Sequence, residues 1–296
     1  MPSPRQAPKL STQTVLVIGG TSGIGLAVAA EALAQSAQHV TIAGSNPAKL
    51  SAALSTLRAG ISDGSHQRIS GHTCDLLGNG DDDNDIETNL RALLDATVAT
   101  NGAGRIDHVA YTAGDAAALA ALTTPAAALT VDAIRAGGTV RFVGPLLLAK
   151  LLPAYVRRSP PAADGDGDGD GWRYHSPSLT LTGGVNATRP APGWTVAAAY
   201  GAALRGAVRG LAVDLAGVPP CGIRVNLVEP GAVETPLWDG VAPGGGREAM
   251  RRRFAERSTV GRVGRPEDTA EAYVYLMKDG FAAGAVVESN GGTLLV

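Results

Sequence analysis

The chain has 296 residues, 45% of them hydrophobic, and a net charge of −2 at neutral pH. This length and apolar content are sufficient for one large α/β domain with a sizeable core. Balanced charge without a basic stripe argues against nucleic acid as a partner, and the absence of any run of about 18 apolar residues argues against a membrane span.

Residues 1–13 are polar and proline-rich and lack the apolar stretch of a secretory signal, so we expect a flexible N-terminus. The chain contains only two cysteines, Cys74 and Cys221, which suits a reducing compartment better than a disulfide scaffold. These features predict a cytoplasmic protein.

From residue 14 onward, apolar runs of strand length alternate with amphipathic segments of helix length. Strands are predicted at residues 14–18, 39–43, 67–73, 106–111, 179–181, 222–228 and 285–288. Helices are predicted at residues 24–35, 47–58, 84–100, 138–156, 194–216 and 266–277. This alternation predicts an α/β fold of Rossmann type: a doubly wound parallel sheet between two helical layers, forming a single domain over residues 14–296.

Two segments interrupt the alternation, residues 78–85 (GNGDDDND) and 159–171 (SPPAADGDGDGDG). Their composition predicts mobile, solvated insertions. The second one begins like a calcium loop, but His175 stands where such a loop needs a bidentate glutamate. Because the five histidines also lack metal-ligand spacing, we predict no metal site.

A glycine-rich turn follows the first predicted strand and leads into the first helix. Glycines allow a sharp turn and a close approach to a pyrophosphate, and the helix N-terminus offers free N–H groups. The alternative is a purely structural turn. It is less favoured because further motifs follow at the distances expected for a dinucleotide-binding fold. We predict that this turn binds a dinucleotide through Gly19, Thr21, Ser22, Gly23, Ile24 and Gly25.

The residues after the second strand bear on the choice of cofactor. An acidic residue there would bind the ribose diol of NAD, but the chain offers Ser45 and Asn46, with Lys49 one turn later. Hydroxyl, amide and ammonium groups suit a 2′-phosphate, so NADP(H) is predicted over NAD(H). Two structural alternatives stay open: Asn46 only caps the following helix, and Lys49 is only solvated surface.

Several further motifs together resemble the short-chain dehydrogenase/reductase family over nearly the whole chain. They are GGTSGIG (19–25), Asp75 after the third strand, TAG (112–114), IRVNLVEPGAVETPL (223–237), GRPEDTAEA (264–272) and ESNGG (288–292). The resemblance implies that further cofactor contacts are made by Asp75, Leu76, Ala113, Gly114, Pro230, Gly231, Val233 and Thr235. It also implies a homodimer or homotetramer built on the helices at 138–156 and 194–216.

The chain departs from this family at the positions that carry proton chemistry. Members usually have an Asn–Ser–Tyr–Lys tetrad, and the matching positions here hold Arg141, Gly184, Ala197 and Gly201. A shift of register to Tyr200 does not restore the motif. Reduction of a ketone depends on a general acid, whereas reduction of an iminium ion yields a neutral amine without proton delivery. The departure therefore favours a pre-activated electrophile.

The strings AGSNPAKL (43–50), VRFVGPLLLAKLLP (140–153) and EDTAEAYVYLMKD (267–279) resemble a fungal subgroup of the family. That subgroup comprises NADPH-dependent bifunctional reductase/Diels–Alderases of malbrancheamide- and paraherquamide-type indole alkaloid pathways. The resemblance implies that Arg141 and Trp194 are catalytic. Ala191 replaces an aspartate of the subgroup, which puts the cyclase role in doubt.

The leading hypothesis is an NADPH-dependent reductase of secondary metabolism acting on an iminium or similarly activated small molecule. One alternative is a carbonyl reductase that uses Tyr111 or Tyr200 as an unusual proton donor. A second is a non-redox cyclase, isomerase or dinucleotide-sensing module that keeps NADP as a structural element.

Overall fold

The computed structural model describes residues 8–61, 66–77, 85–114, 124–156, 176–217, 222–240 and 246–296. Its strands form one parallel sheet in the order β3-β2-β1-β4-β5-β6-β7. They are β1 (Thr14–Ile18), β2 (His39–Gly44), β3 (Ile69–Thr73), β4 (His108–Tyr111), β5 (Ser178–Thr182), β6 (Arg224–Pro230) and β7 (Val286–Ser289). The prediction of a doubly wound parallel sheet is confirmed.

Helices cover both faces of the sheet. They are α1 (Gly23–Ala34), α2 (Pro47–Ala59), α3 (Asp85–Thr100), α4 (Val131–Gly138), α5 (Gly144–Leu151), α6 (Thr195–Asp214), α7 (Arg247–Ala255) and α8 (Pro266–Lys278). In β1, Val15 and Val17 pack into the core under α1, α2 and α8, while Leu16 and Ile18 pack into the core under α3, α5 and α6. Among the described residues, no helix is both long and apolar enough to span a membrane.

The order in which strands are added to the sheet reverses at β1: β2 and β3 lie on one side of it, and β4 to β7 lie on the other. Because β2 and β4 pair with opposite edges of β1, the loops after β1 and β4 diverge and leave a crevice at the carboxyl end of the sheet. This crevice is where doubly wound sheets bind ligands.

The prediction of a helix at 138–156 is wrong at both ends. The helical run starts at Val131, where the Thr130 side chain accepts a hydrogen bond from the Ala133 N–H. It passes through a π-helical turn at Thr139–Val143 and ends its α-helical part at Leu151. Glycines 137 and 138 lower the helix propensity of this stretch, but here they lie buried inside the helical run.

The packed chain also begins earlier than the predicted boundary at Thr14. Leu10 is fully buried, and the Gln38 N–H donates to its carbonyl, so residues 8–13 are not a free tail. Of the two predicted insertions, residues 78–84 and 159–171 lie outside the described part of the chain, and Asp85 belongs to α3.

A histidine pair near the edge of the sheet makes stability depend on pH. His39 Nε2 lies 2.9 Å from Ser70 Oγ, and His72 Nε2 lies 3.0 Å from Thr100 Oγ1. Burial lowers the pKa of both imidazoles from their ordinary value of 6.5, and for His39 the neighbouring His72 lowers it further. The unfolded chain therefore binds protons more readily, so stability present at neutral pH is lost as the pH falls below that value.

We expect the urea midpoint of unfolding to fall between about pH 7 and about pH 5, a window above most carboxyl titrations. His39→Gln keeps a partner for Ser70 and should flatten this dependence. The exposed His66 provides the control, since His66→Gln should leave the slope unchanged. An equally steep slope in His39→Gln would show that other groups cause the dependence.

Candidate active site

One cleft of about 1090 Å³ opens at the carboxyl edge of the sheet. Ligand pockets commonly measure about 300–1,000 Å³, so this cleft has room for a dinucleotide and a substrate. All the residues predicted to bind the cofactor line it. They are Gly19, Thr21, Ser22, Gly23, Ile24, Gly25, Ser45, Asn46, Lys49, Asp75, Leu76, Ala113, Gly114, Pro230, Gly231, Val233 and Thr235.

The glycine turn has the geometry of a phosphate-binding loop. Gly19 has φ +89°, and a Cβ there would lie 2.5 Å from the Ala113 nitrogen. A Cβ on Gly25 would lie 2.2 Å from the Gly19 carbonyl oxygen, so only glycine allows α1 to approach β1 this closely. Ser22, the N-cap of α1, makes no side-chain capping bond. The first N–H groups of α1 thus remain available to a pyrophosphate, and the turn fits a dinucleotide.

The end of β2 is uncharged apart from a lysine. Asn46 Oδ1 accepts a hydrogen bond from the Lys49 N–H at 3.0 Å, so Asn46 does cap α2. The Ser45 hydroxyl and the Lys49 ammonium also line the cleft. Asp75 is the only carboxylate in the described lining, and its Oδ1 accepts from the Leu77 N–H at 3.0 Å.

Arg141 lies in the π-helical turn and lines the cleft. Its guanidinium packs on Gly114, where an added Cβ would lie 2.2 Å from Nη2. Burial lowers the pKa of Arg141 from its ordinary value. No described residue forms a hydrogen bond or salt bridge with this half-buried guanidinium, so its donors face the cleft. π-turns of this kind are frequent at functional sites.

Tyr111 supports this turn from below. Its hydroxyl donates to the Val140 carbonyl at 2.5 Å, and its side chain is 2% exposed. Burial raises the pKa of this phenol far above its ordinary value. Tyr111 is absent from the described lining of the cleft, which removes it as a proton donor there.

Gly184, Ala197 and Gly201, which the sequence analysis assigns to the family's Ser, Tyr and Lys positions, line the cleft. Tyr200 is the only tyrosine of the described lining, and its hydroxyl donates to the Ile134 carbonyl at 2.9 Å. Lys49 is the only lysine there, and it belongs to the β2 end of the cleft.

Three large aromatic side chains, Trp194, Trp238 and Phe254, line the cleft. Trp194 packs against Val196 and Ala197, and Trp238 lies 5.7 Å from Phe254 between ring centroids. Sequence reasoning identified Trp194 but missed Trp238 and Phe254. The signal for Phe254 is the helical spacing of Met250, Arg253, Phe254 and Arg257, all of which line the cleft.

This fold and cleft define a dinucleotide-binding protein of Rossmann type. The chain belongs to the short-chain dehydrogenase/reductase family: the model of the SDR-like Rossmann domain matches residues 6–296. Members of this family are oxidoreductases that use NAD(P)(H), and the glycine turn of the cleft fits such a cofactor.

The relatives include other short-chain dehydrogenases/reductases. The short-chain dehydrogenase/reductase malC of Malbranchea aurantiaca is 39% identical over 99% of this chain and 99% of its own. The structure of that organism's MalC reductase/Diels–Alderase matches with a TM-score of 0.79 over 97% of this chain and 98% of its own, at 39% identity. The short-chain dehydrogenase/reductase fsr5 of Gibberella fujikuroi is 37% identical over 97% of this chain and 96% of its own. The predicted resemblance is confirmed.

Proposed function

We propose that the protein is an NADPH-dependent reductase of secondary metabolism that reduces an iminium or similarly activated alkaloid intermediate. The observation that carries this proposal is the pairing of an intact dinucleotide cradle with Ala197 and Gly201 at the proton-donor positions. A phenol–ammonium pair is missing from the described lining of the cleft.

The chemistry follows from this missing acid. The bound cofactor supplies a hydride from its nicotinamide. A ketone that accepts hydride becomes an alkoxide and needs a proton, and a general acid contributes about 10²–10⁴-fold to that step. An iminium carbon that accepts hydride gives a neutral amine: the C–H bond forms and the C=N⁺ π pair returns to nitrogen. No protein proton is consumed.

The residues of this chain bind and orient the substrate. Arg141 presents guanidinium donors that suit a substrate carbonyl oxygen. Trp194 and Trp238 offer flat apolar faces to a polycyclic ring system and exclude water from the reacting carbon.

The test compares a cyclic iminium with the ketone of matched skeleton and follows NADPH oxidation by absorbance. We expect iminium turnover with a kcat that does not change through the range of a phenol pKa, about 9–11. Faster ketone turnover with a phenol-like pKa would favour a carbonyl reductase. Product formation without NADPH oxidation would favour a cyclase or isomerase that holds NADP structurally.

We propose that any steering of a [4+2] cyclisation is weak, because Ala191 at the rim of the cleft has no acid to offer. Ala191→Asp should raise the fraction of cyclised product formed after reduction. Ala127→Asp, at an exposed position outside the cleft lining, is the control. Unchanged product ratios in Ala191→Asp would count against this role.

NADP(H) is proposed over NAD(H) because Ser45, Asn46 and Lys49 place no carboxylate at the β2 end. Ser45→Asp should weaken NADPH binding about tenfold or more through charge repulsion and strengthen NADH binding through the ribose diol. The exposed Ser51 on α2 provides the control, Ser51→Asp, which should change neither affinity. Calorimetry with both cofactors measures the switch.

We also propose a cytoplasmic homodimer or homotetramer. Small residues such as Ala202, Ala203 and Gly206 are exposed along α6, and Val213 on the same helix is 75% exposed. Such a face allows close packing of two helices. Sedimentation velocity would measure the state, and a monomer at micromolar concentration would contradict it.

A further inference from the structure

The half of the cleft next to the C-terminal segment is basic. Arg189, Arg253 and Arg257 line it, whereas Asp75, the only carboxylate of the described lining, follows β3 at the other edge of the sheet. The end of α7 reaches the C-terminal segment, since the Ser258 hydroxyl donates to the Gly291 carbonyl at 2.9 Å. Because the C-terminal segment follows β7, at the sheet edge opposite β3, we assign this half of the cleft to the substrate.

Helix α7 turns one stripe of side chains toward the cleft. Met250, Arg253 and Phe254 of α7, and Arg257 two residues beyond its end, follow each other at helical spacing, and all four line the cleft. Two apolar groups and two guanidinium groups thus share one surface. A ligand that covers this stripe needs an apolar body and a group that accepts from arginine.

The arginines around α7 differ in how they are paired. Arg251 donates to Glu234 at 2.8 Å, and Arg247 donates to Asp239 at 2.5 Å. Both lie outside the cleft lining. Arg253 and Arg257 are exposed, and their guanidinium groups form neither a hydrogen bond nor a salt bridge with any residue in the described ranges. Arg189 is different again, because its Nη1 donates to the Thr293 carbonyl at 3.0 Å and to the Val296 carbonyl.

From this arrangement we infer that Arg253 and Arg257 bind a carboxylate of the substrate. The substrate is accordingly an aromatic or polycyclic acid whose rings lie on Phe254, Met250 and the tryptophans. The inference rests on the proposed function in one respect, namely which half of the cleft holds the substrate. Two guanidinium groups one turn apart can each donate to a carboxylate oxygen.

Electrostatics favour such a group on an iminium substrate. A cation with no counter-charge would be repelled by Arg141, Arg253 and Arg257 in a cleft whose only described carboxylate is remote. A carboxylate on the same molecule gives a zwitterion with no net charge. The acid binds to α7 while the C=N⁺ group lies at the nicotinamide position.

The experiment measures binding of a non-reactive probe pair, 1-naphthaleneacetate and its neutral amide, to the NADP⁺-loaded protein by tryptophan fluorescence. Wild type should bind the acid about tenfold more tightly than the amide, with a preference that declines as salt is added. Arg253→Gln/Arg257→Gln should abolish the preference. Arg252→Gln is the matched control, since Arg252 is exposed on the same helix but outside the cleft lining.

Equal binding of acid and amide by wild type would overturn the inference. Loss of NADP⁺ affinity in the double variant, measured by calorimetry, would also overturn it by assigning these arginines to the cofactor phosphates. Failure of the proposed function is a separate result: the acid preference would remain while no iminium compound oxidises NADPH.

Discussion

Replacing Gly25 with alanine is expected to weaken NADP(H) binding by about tenfold or more, because overpacking of this kind costs about 1–3 kcal/mol. The added methyl group would lie 2.2 Å from the Gly19 carbonyl oxygen and 2.4 Å from Thr112 Oγ1. Gly19 and Thr112 belong to the turns that follow β1 and β4, so the strain falls on the crevice itself. The helix N-terminus must move away from the site where a pyrophosphate would lie.

Gly60→Ala is the matched control for this variant. Gly60 caps the C-terminus of α2 with φ −77°, and an added Cβ would lie 3.5 Å from the nearest atom, an ordinary contact. The Gly60→Ala variant should match wild type in its affinity for NADPH and in its midpoint of thermal unfolding. If Gly25→Ala also binds NADPH with wild-type affinity, the turn does not hold the cofactor.

The fold was predictable because its signals are local. The strand β1 is apolar from Val15 to Ile18 and buried on both sides, and the turn at Gly19–Gly25 follows it without a gap. Asn46 and Pro47 mark the start of α2, and the structure shows the predicted cap. Seven short parallel strands joined by helices admit few topologies.

The start of the helical run at Val131 was missed because its signal is weak. Thr130 is a good N-cap, but the segment behind it exposes Val131 and Ile134 and contains two buried glycines. The π-turn at Thr139–Val143 depends on a tertiary contact, the Tyr111 hydroxyl on the Val140 carbonyl. Such a contact between distant parts of the chain leaves no periodic pattern in the sequence.

The substrate side was predicted least well. Sequence reasoning gave Arg141 and Trp194 through a resemblance and did not identify α7. Helix α7 is strongly polar, with four of its nine residues arginine, and reads as a solvated surface segment. Its placement over the cleft is a tertiary feature, so Arg253 and Phe254 became visible only in the structure.

Arg141→Gln is expected to lower kcat/KM for an iminium substrate about ten- to hundredfold, since a hydrogen bond involving a charged group contributes about 1.5–3 kcal/mol. The guanidinium faces the cleft with no partner among the described residues, so the substrate would lose donors that nothing else supplies. The dissociation constant of NADPH should change much less. An equal loss of NADPH affinity would instead assign Arg141 to the cofactor.

A second variant moves the same guanidinium without deleting it. Gly114→Ala places a Cβ 2.2 Å from Arg141 Nη2 and 3.0 Å from its Cζ. Because the end of a long side chain can shift, the fold should tolerate this change while the donors lose their position. Arg135→Gln, at an exposed site on α4, should keep wild-type rates. We therefore expect kcat/KM to be highest in Arg135→Gln, lower in Gly114→Ala and lowest in Arg141→Gln. Full activity in Gly114→Ala would contradict a positional role for the guanidinium.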